Sequence, residues 1–157
     1  MKRLLSISSV LAIVVGVVLV AGGIWGLYFT YKNVVQEKIV TPEDASISNQ
    51  PVRGPFTLKA QANIIRKHTL TSTGGKTFAE MPRQIEKLDA DGKPILGADG
   101  KPVMMANTAR DMWITATTLT TALNLGILSF AFSGLAILLG LISLWIGIIF
   151  CVLSKKS

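Results

Sequence analysis

The chain has 157 residues, a net charge of +7 and one cysteine, and half of its residues are hydrophobic. Two charge-free runs, Leu4 to Tyr31 and Met112 to Ser154, both exceed the roughly 20 apolar residues that cross a bilayer. About 80 residues lie between the runs, near the lower limit for a self-sufficient core. The composition therefore argues against an ordinary soluble domain, and a lone cysteine excludes an intrachain disulfide.

Four of the 16 positive residues lie at the two chain ends: Lys2, Arg3, Lys155 and Lys156. The middle region interleaves both signs of charge and lacks the clustered basic face of a nucleic-acid binder. Positive residues in the short flanks of a span stay in the cytoplasm. We therefore predict a multi-pass protein of the cytoplasmic membrane with both termini cytoplasmic. The predicted partners are membrane lipid and other membrane-protein subunits, and no nucleic acid.

The first run is too long for the apolar part of a signal peptide, so we expect an uncleaved span. The predicted organisation is an N-terminal transmembrane helix (1–31), an extracytoplasmic loop domain (32–111), and a projecting and transmembrane helix with a short basic cytoplasmic tail (112–157). No proline follows Pro102. One continuous helix from about Thr108 to Val152 is therefore allowed.

Small residues recur along the second run in alternating steps of four and three, at Ala122, Gly126, Ser129, Ser133, Ala136, Gly140, Ser143 and Gly147. The first run has a comparable pattern, at Ser9, Ala12, Gly16, Leu19, Gly23 and Gly26. Small residues allow helix backbones to approach closely in lipid. We therefore predict an antiparallel two-helix transmembrane hairpin packed along these two faces. The alternative is that one of the faces packs against a different protein.

The region after Gly54 predicts an amphipathic helix from Phe56 to about Thr71. One face carries Phe56, Ala60, Ile64 and His68, and the other carries Lys59, Asn63, Arg66 and Lys67. Gly74-Gly75 predicts where the helix stops. Thr77-Phe-Ala-Glu80 is a capping box that predicts a second short helix. The possible interaction surface of the cap comprises Phe56, Lys59, Arg66, Lys67 and His68.

An eight-residue unit, Ala90-Asp-Gly-Lys-Pro-Ile-Leu-Gly97, is repeated as Ala98-Asp-Gly-Lys-Pro-Val-Met-Met105. Two such units are too few for a solenoid. Each contains an Asp-Gly turn, so we expect one or two exposed turns or a small β-hairpin. The predicted fold class is therefore a mainly α membrane protein, with a small extracytoplasmic cap of short helices and a β-turn repeat.

Several kinds of chemistry are hard to build from this chain. His68 is the only histidine, and zinc and non-haem iron sites built on histidine need more than one. Lys93 stands where a calcium loop beginning at Asp89 needs a ligand. Neither span carries an internal charge, which ion pathways usually require. We predict no catalytic residue, no cofactor, no metal and no small-molecule substrate.

The stretch Gly54-Pro-Phe-Thr-Leu-Lys-Ala-Gln-Ala-Asn-Ile-Ile-Arg-Lys-His-Thr-Leu70, followed by Thr73-Gly-Gly-Lys-Thr-Phe-Ala-Glu80, resembles a small family of actinobacterial two-span membrane proteins. Members often carry the label aromatic ring-opening dioxygenase, which a single histidine does not fit. The resemblance covers the order span, loop, span. It implies a Gram-positive-type cytoplasmic membrane with the loop facing the envelope, and it implies no settled activity.

Three functional hypotheses remain. The leading one is a non-catalytic accessory or assembly subunit of a larger membrane complex, in respiratory or envelope machinery. The alternative is an envelope- or lipid-binding module that acts through the helix at 56–71, which is basic on one face. The third is an enzyme that uses the cap.

Overall fold

The computed structural model describes residues 1–156 and is mainly helical. In chain order the elements are α1 (Lys2–Gln36), α2 (Pro55–Ser72), a 3₁₀ turn (Phe78–Glu80), β1 (Gln84–Glu86), β2 (Met104–Ala106) and α3 (Thr108–Lys156). By length and composition, α1 and α3 could each cross a membrane. The prediction of one continuous C-terminal helix is confirmed, because α3 runs through 49 residues without interruption.

The helices α1 and α3 pack as an antiparallel pair along their small-residue faces. A Cβ added at Gly16 would lie 2.8 Å from the Gly140 carbonyl oxygen, and one added at Gly23 would lie 2.8 Å from the Ser133 carbonyl oxygen. A step of seven residues forward along α1 therefore faces a step of seven residues backward along α3, as in any antiparallel helix pair. The backbones touch at these positions, and a larger side chain would push the helices apart.

Hydroxyl groups join the same two helices. Ser9 donates to the Gly147 carbonyl at 2.8 Å, and Ser143 donates to the Ala12 carbonyl at 2.8 Å. Buried serines without such partners would be destabilising in an apolar interface. An interhelical hydrogen bond of this kind contributes about 0.6 kcal/mol on average in membrane proteins.

The remaining members of the two faces also lie along the interface. Gly26, Ser129 and Ala136 are half-buried, and Thr30 meets Ser129 with 2.6 Å between their hydroxyl oxygens. Because the Thr30 proton goes to the Gly26 carbonyl at 2.8 Å, Ser129 is the donor in that contact. Gly22, by contrast, has nothing within 4 Å of an added Cβ.

Ala122 departs from the predicted packing face, because it is exposed and its neighbour Leu123 is buried. At this height α2 packs on α3 in addition to α1, whose Val34 also lies against the same cluster. Leu123 joins Val52, Leu58 and Ala62 in the core of the cap. Small residues are needed only where two backbones touch, so a leucine fills the wider gap here.

The helix α2 runs antiparallel to the outer half of α3. Its first turn lies near Gly126, where an added Cβ would be 3.2 Å from Leu58 Cδ1. Its end lies near Trp113, whose indole Nε1–H donates to the Lys76 carbonyl at 2.9 Å. Gly74 and Gly75 both have positive φ, and their predicted role in ending the helix is confirmed.

Residues 84–106 form a small arm. Its base is the antiparallel β1–β2 ladder, and its tip is two turns, one in each repeat unit, with positive φ at Gly92 and Gly100. Backbone N–H groups close a ring in which Lys87 donates to Val103 at 2.8 Å, Val103 to Ile95 at 2.8 Å, and Ile95 to Lys87 at 2.9 Å. The prediction of exposed turns is confirmed. Within residues 1–156, β1 and β2 pack on each other and not on any helix.

Candidate interaction site

Lys67 and His68 are held by a carboxylate from the loop that precedes α2. Asp44 Oδ2 lies 2.9 Å from His68 Nε2 and 3.3 Å from Lys67 Nζ. The sequence predicted His68 on the apolar face of the helix, but its side chain is 53% exposed. The loop that precedes α2 packs on the helix elsewhere, since Val52 and Ile39 lie against Leu58 and Ala62, and it meets His68 through the polar contact with Asp44.

The contact with His68 lowers the pKa of the Asp44 carboxyl, and the hydrogen bond from Lys67 acts in the same direction. Both partners favour the charged form of the carboxylate, and together they outweigh the opposing effect of desolvation. Glu80 shows the same behaviour in the predicted capping box, which is confirmed. Its carboxylate accepts from the Thr77 backbone N–H at 2.7 Å and from the Thr77 hydroxyl at 2.7 Å. The backbone hydrogen bond is the main reason that the pKa of Glu80 is lowered.

Lys59 and Arg66 lie on a different side of α2, one that faces α3. Together with Asn63 and Asn124 they line a shallow groove of about 210 Å³ between the two helices. The Arg66 guanidinium lies 5.5 Å from the centre of the Trp113 ring, within the range of a cation–π contact. The predicted basic face is therefore divided into a groove pair, Lys59 and Arg66, and a pair bound to Asp44.

Phe56 is the most exposed member of the predicted surface, at 80%. It stands in the first turn of α2, at the same end of the helix as Leu58 and Gly126. The packed residues of α2 are instead Leu58, Ala60, Ala62, Ile64 and Thr69. Phe56 therefore takes no part in the packed face of α2.

Three features were not singled out in the sequence. Asp44 binds two predicted site residues, Trp113 joins α3 to the end of α2, and Gln61 lies on the packed side of α2 with its Oε1 buried and without a hydrogen-bond partner. Gln61 stands between two alanines, Ala60 and Ala62, in the sequence. Asp44 and Trp113 gave no local signal, because their partners are distant in the chain.

The residues of this region bring together one carboxylate, one histidine and three basic side chains, in two separate groups. Among residues 1–156, no group of three or more His, Cys, Asp or Glu side chains is placed to hold a metal ion. Comparison with protein-family models, with curated proteins and with solved structures found no match to this chain. The resemblance to an actinobacterial two-span family therefore stays a prediction.

Proposed function

We propose that this protein is a two-span protein of an actinobacterial cytoplasmic membrane that serves as a non-catalytic accessory or assembly subunit of a larger complex, in respiratory or envelope machinery. The observation that carries the proposal is the attachment of a free arm to a long apolar helix. β2 ends at Ala106 and α3 begins at Thr108. A partner bound to the arm would therefore be held at a fixed distance from the helix pair.

The membrane placement is supported by the antiparallel pair. Lys2 and Arg3 begin α1, and Lys155 and Lys156 end α3, so the four cations share one end of the pair. The positive-inside rule places that end in the cytoplasm and the cap outside. Many large apolar side chains of α1 and α3 are exposed on the faces away from the interface, as lipid contact requires.

The arm offers a surface of the kind found in protein interfaces. Leu96 is 61% exposed, Leu88 is 54% exposed and Met104 is 48% exposed. Contiguous exposed apolar side chains mark interaction sites on soluble surfaces. Leucine and methionine here stand beside Lys and Asp residues that would form a polar rim.

The test is affinity purification of the tagged full chain in mild detergent, with mass spectrometry of the proteins that co-elute. We expect a stoichiometric membrane-protein partner. Leu96→Asp on the arm should lose it, and Ala98→Asp should keep it, since both add one carboxylate to the same exposed turn and only the first removes an apolar contact. A wild-type chain that elutes alone, or only with itself, would refute the accessory-subunit role.

The second candidate function is binding of anionic envelope components through α2. It is favoured by the groove between α2 and α3, which is lined by both Lys59 and Arg66. The full chain should then be stabilised more by phosphatidylglycerol than by phosphatidylcholine. Lys59→Gln should remove the difference, whereas Lys101→Gln on the arm should not. Equal stabilisation of the wild type by both lipids would argue against this function.

A further inference from the structure

The groove between α2 and α3 carries positive charge that no carboxylate balances. Lys59 and Arg66 line it from α2, and a spacing of seven residues puts them on one face of the helix, about 10 Å apart along its axis. Among residues 1–156, no acidic side chain lines the groove, and the only salt bridges are those that Asp44 forms elsewhere. Unbalanced cations in a groove raise the local concentration of anions, so the groove favours an anionic ligand.

Hydrogen-bond donors stand on both walls of the groove. Arg66 and Asn63 offer them from α2, and Asn124 and Thr117 offer them from α3. Trp113, which is 5% exposed, holds the Arg66 guanidinium at 5.5 Å from the centre of its ring. A tetrahedral phosphate directs oxygens to both walls at once, whereas the two oxygens of a carboxylate lie in one plane. The donor set therefore favours a phosphate.

Thr120 adds a group to the groove that can only accept from a ligand. Its hydroxyl proton goes to the Ala116 and Thr117 carbonyls, at 2.9 Å and 3.1 Å. The ligand must therefore carry a donor beside its anionic group, and a hydroxyl is such a donor. At about 210 Å³, the groove is also smaller than typical ligand pockets of about 300–1,000 Å³, so it suits a compact ligand.

We propose that this groove binds the phosphate ester of a small polyol, of which glycerol phosphate is the simplest case. Lys59 and Arg66 hold the phosphate, and Thr120 accepts from a polyol hydroxyl. The inference rests on the second candidate function above and narrows its ligand. The same ester occurs as a lipid headgroup and in soluble form, and both present the same groups to the groove.

The height of the groove makes a lipid headgroup accessible to it. Leu58, the residue before Lys59, lies 3.2 Å from a Cβ added at Gly126. Close to that point Ser129 meets Thr30, where the charge-free run of α1 ends. Under the proposed membrane placement, the Lys59 end of the groove therefore lies near the outer headgroups.

The test uses the full chain in detergent, stripped of lipid, and follows thermal unfolding as each ligand is titrated. Glycerol phosphate and phosphatidylglycerol should both raise the melting temperature, and dioleoylglycerol hemisuccinate, an anionic lipid without phosphate, should raise it less. Arg66→Gln should weaken both phosphate ligands about tenfold or more, since a hydrogen bond to a charged group contributes that much to affinity. Lys76→Gln is the matched control, because Lys76 is exposed and lies outside the groove.

Thr120→Val tests the polyol, and its near-identical shape keeps the proposal testable if Arg66→Gln fails to fold. The wild type should bind glycerol phosphate more tightly than inorganic phosphate, and phosphatidylglycerol more tightly than phosphatidic acid. Thr120→Val should lose these preferences and still bind phosphate. Preferences that survive in Thr120→Val would overturn the assignment of the polyol.

A response to phosphatidylglycerol alone would identify the ligand as a lipid headgroup, and a response to both would include the soluble ester. No response to either, or equal responses of wild type and Arg66→Gln, would overturn the proposal. A hemisuccinate lipid as effective as phosphatidylglycerol would also overturn it, but the anion-binding function would stand. Equal effects of phosphatidylglycerol and phosphatidylcholine, with no response to glycerol phosphate, would refute both.

Discussion

Glycines decide how closely α1 and α3 approach. Gly16→Val would bring its Cβ within 3 Å of the Gly140 carbonyl oxygen and of Leu144 N, which are backbone atoms that cannot rotate away. Overpacking of this kind costs about 1–3 kcal/mol, so we expect the free energy of unfolding in detergent to fall by at least about 2 kcal/mol. Gly22→Val is the control, because that position is open. Equal losses in the two variants would show that the close contact is not what holds the helices.

Trp113 connects the outer end of α3 to the segment after α2. It is 5% exposed, and its indole N–H is shared between the Lys76 carbonyl and the Thr73 hydroxyl, at 2.9 Å and 3.3 Å. Trp113→Phe removes the indole donor, while the Lys76 carbonyl keeps a hydrogen bond from the Thr73 hydroxyl at 2.7 Å, so the loss should be about 1 kcal/mol of unfolding free energy. Trp145→Phe, at a position that is 68% exposed, should have little effect. Denaturant titration of both variants would check this, and similar losses would contradict it.

The Asp44 contact makes the attachment of its loop depend on pH. Its pKa is lowered in the folded protein, so its stabilising effect is present above the ordinary carboxyl value of about 3.9. The effect is lost as the pH falls through the lowered value. NMR titration of the Asp44 carboxyl should therefore give a low midpoint that rises in His68→Ala. A midpoint unchanged by that substitution would mean that His68 is not the principal cause.

The arm behaves as an independent element because β1 and β2 pack on no helix. Its base is anchored separately, where the Asn107 side chain donates to the Pro82 carbonyl at 2.9 Å. Replacing residues 85–105 by a short turn should leave thermal unfolding of the helices unchanged within about 0.5 kcal/mol and should abolish partner co-elution. A matched shortening at 43–48 removes Asp44 and should lower stability. A large loss of helix stability on removing the arm would contradict this independence.

Several elements could be predicted because their causes are local or periodic. The spacing of small residues identified the packed faces of α1 and α3, and the Thr77–Glu80 capping box needs only four neighbouring residues. The exposed turns of the repeat follow from Asp-Gly steps. These features depend on backbone geometry and side-chain size, and both follow from the type and spacing of neighbouring residues in the sequence.

The packed face of α2 could not be predicted in the same way. Periodicity grouped Phe56 with Ala60 and Ile64, but only the latter two are buried, and the loop residues Val52 and Ile39 pack on Leu58 and Ala62 instead. Thr41, which is 1% exposed, closes that loop by accepting from Gln50 N–H at 3.0 Å. Which side of an amphipathic helix is covered depends on such distant segments, and the shift from Ala122 to Leu123 has the same origin.

At the scale of the whole molecule, α3 is the one element that contacts every other helix. Its 49 residues span about 74 Å at 1.5 Å per residue, more than twice the roughly 30 Å of a bilayer core. Under the proposed membrane placement, the part of α3 that packs on α1 lies in the bilayer and the part that packs on α2 projects from it. The distance of the cap from the bilayer would then be set by the length of α3 and not by a flexible linker.

This geometry predicts the topology of the protein, because an antiparallel pair places both termini on one side. In a Cys151→Ser background, Ser48→Cys in the exposed loop should react with an impermeant maleimide in intact cells, while Lys2→Cys and Lys156→Cys should react only after permeabilisation. Labelling of both terminal positions in intact cells, without Ser48→Cys, would invert the orientation. Labelling of only one terminus would contradict two spans, since α1 and α3 could not then cross the same bilayer side by side.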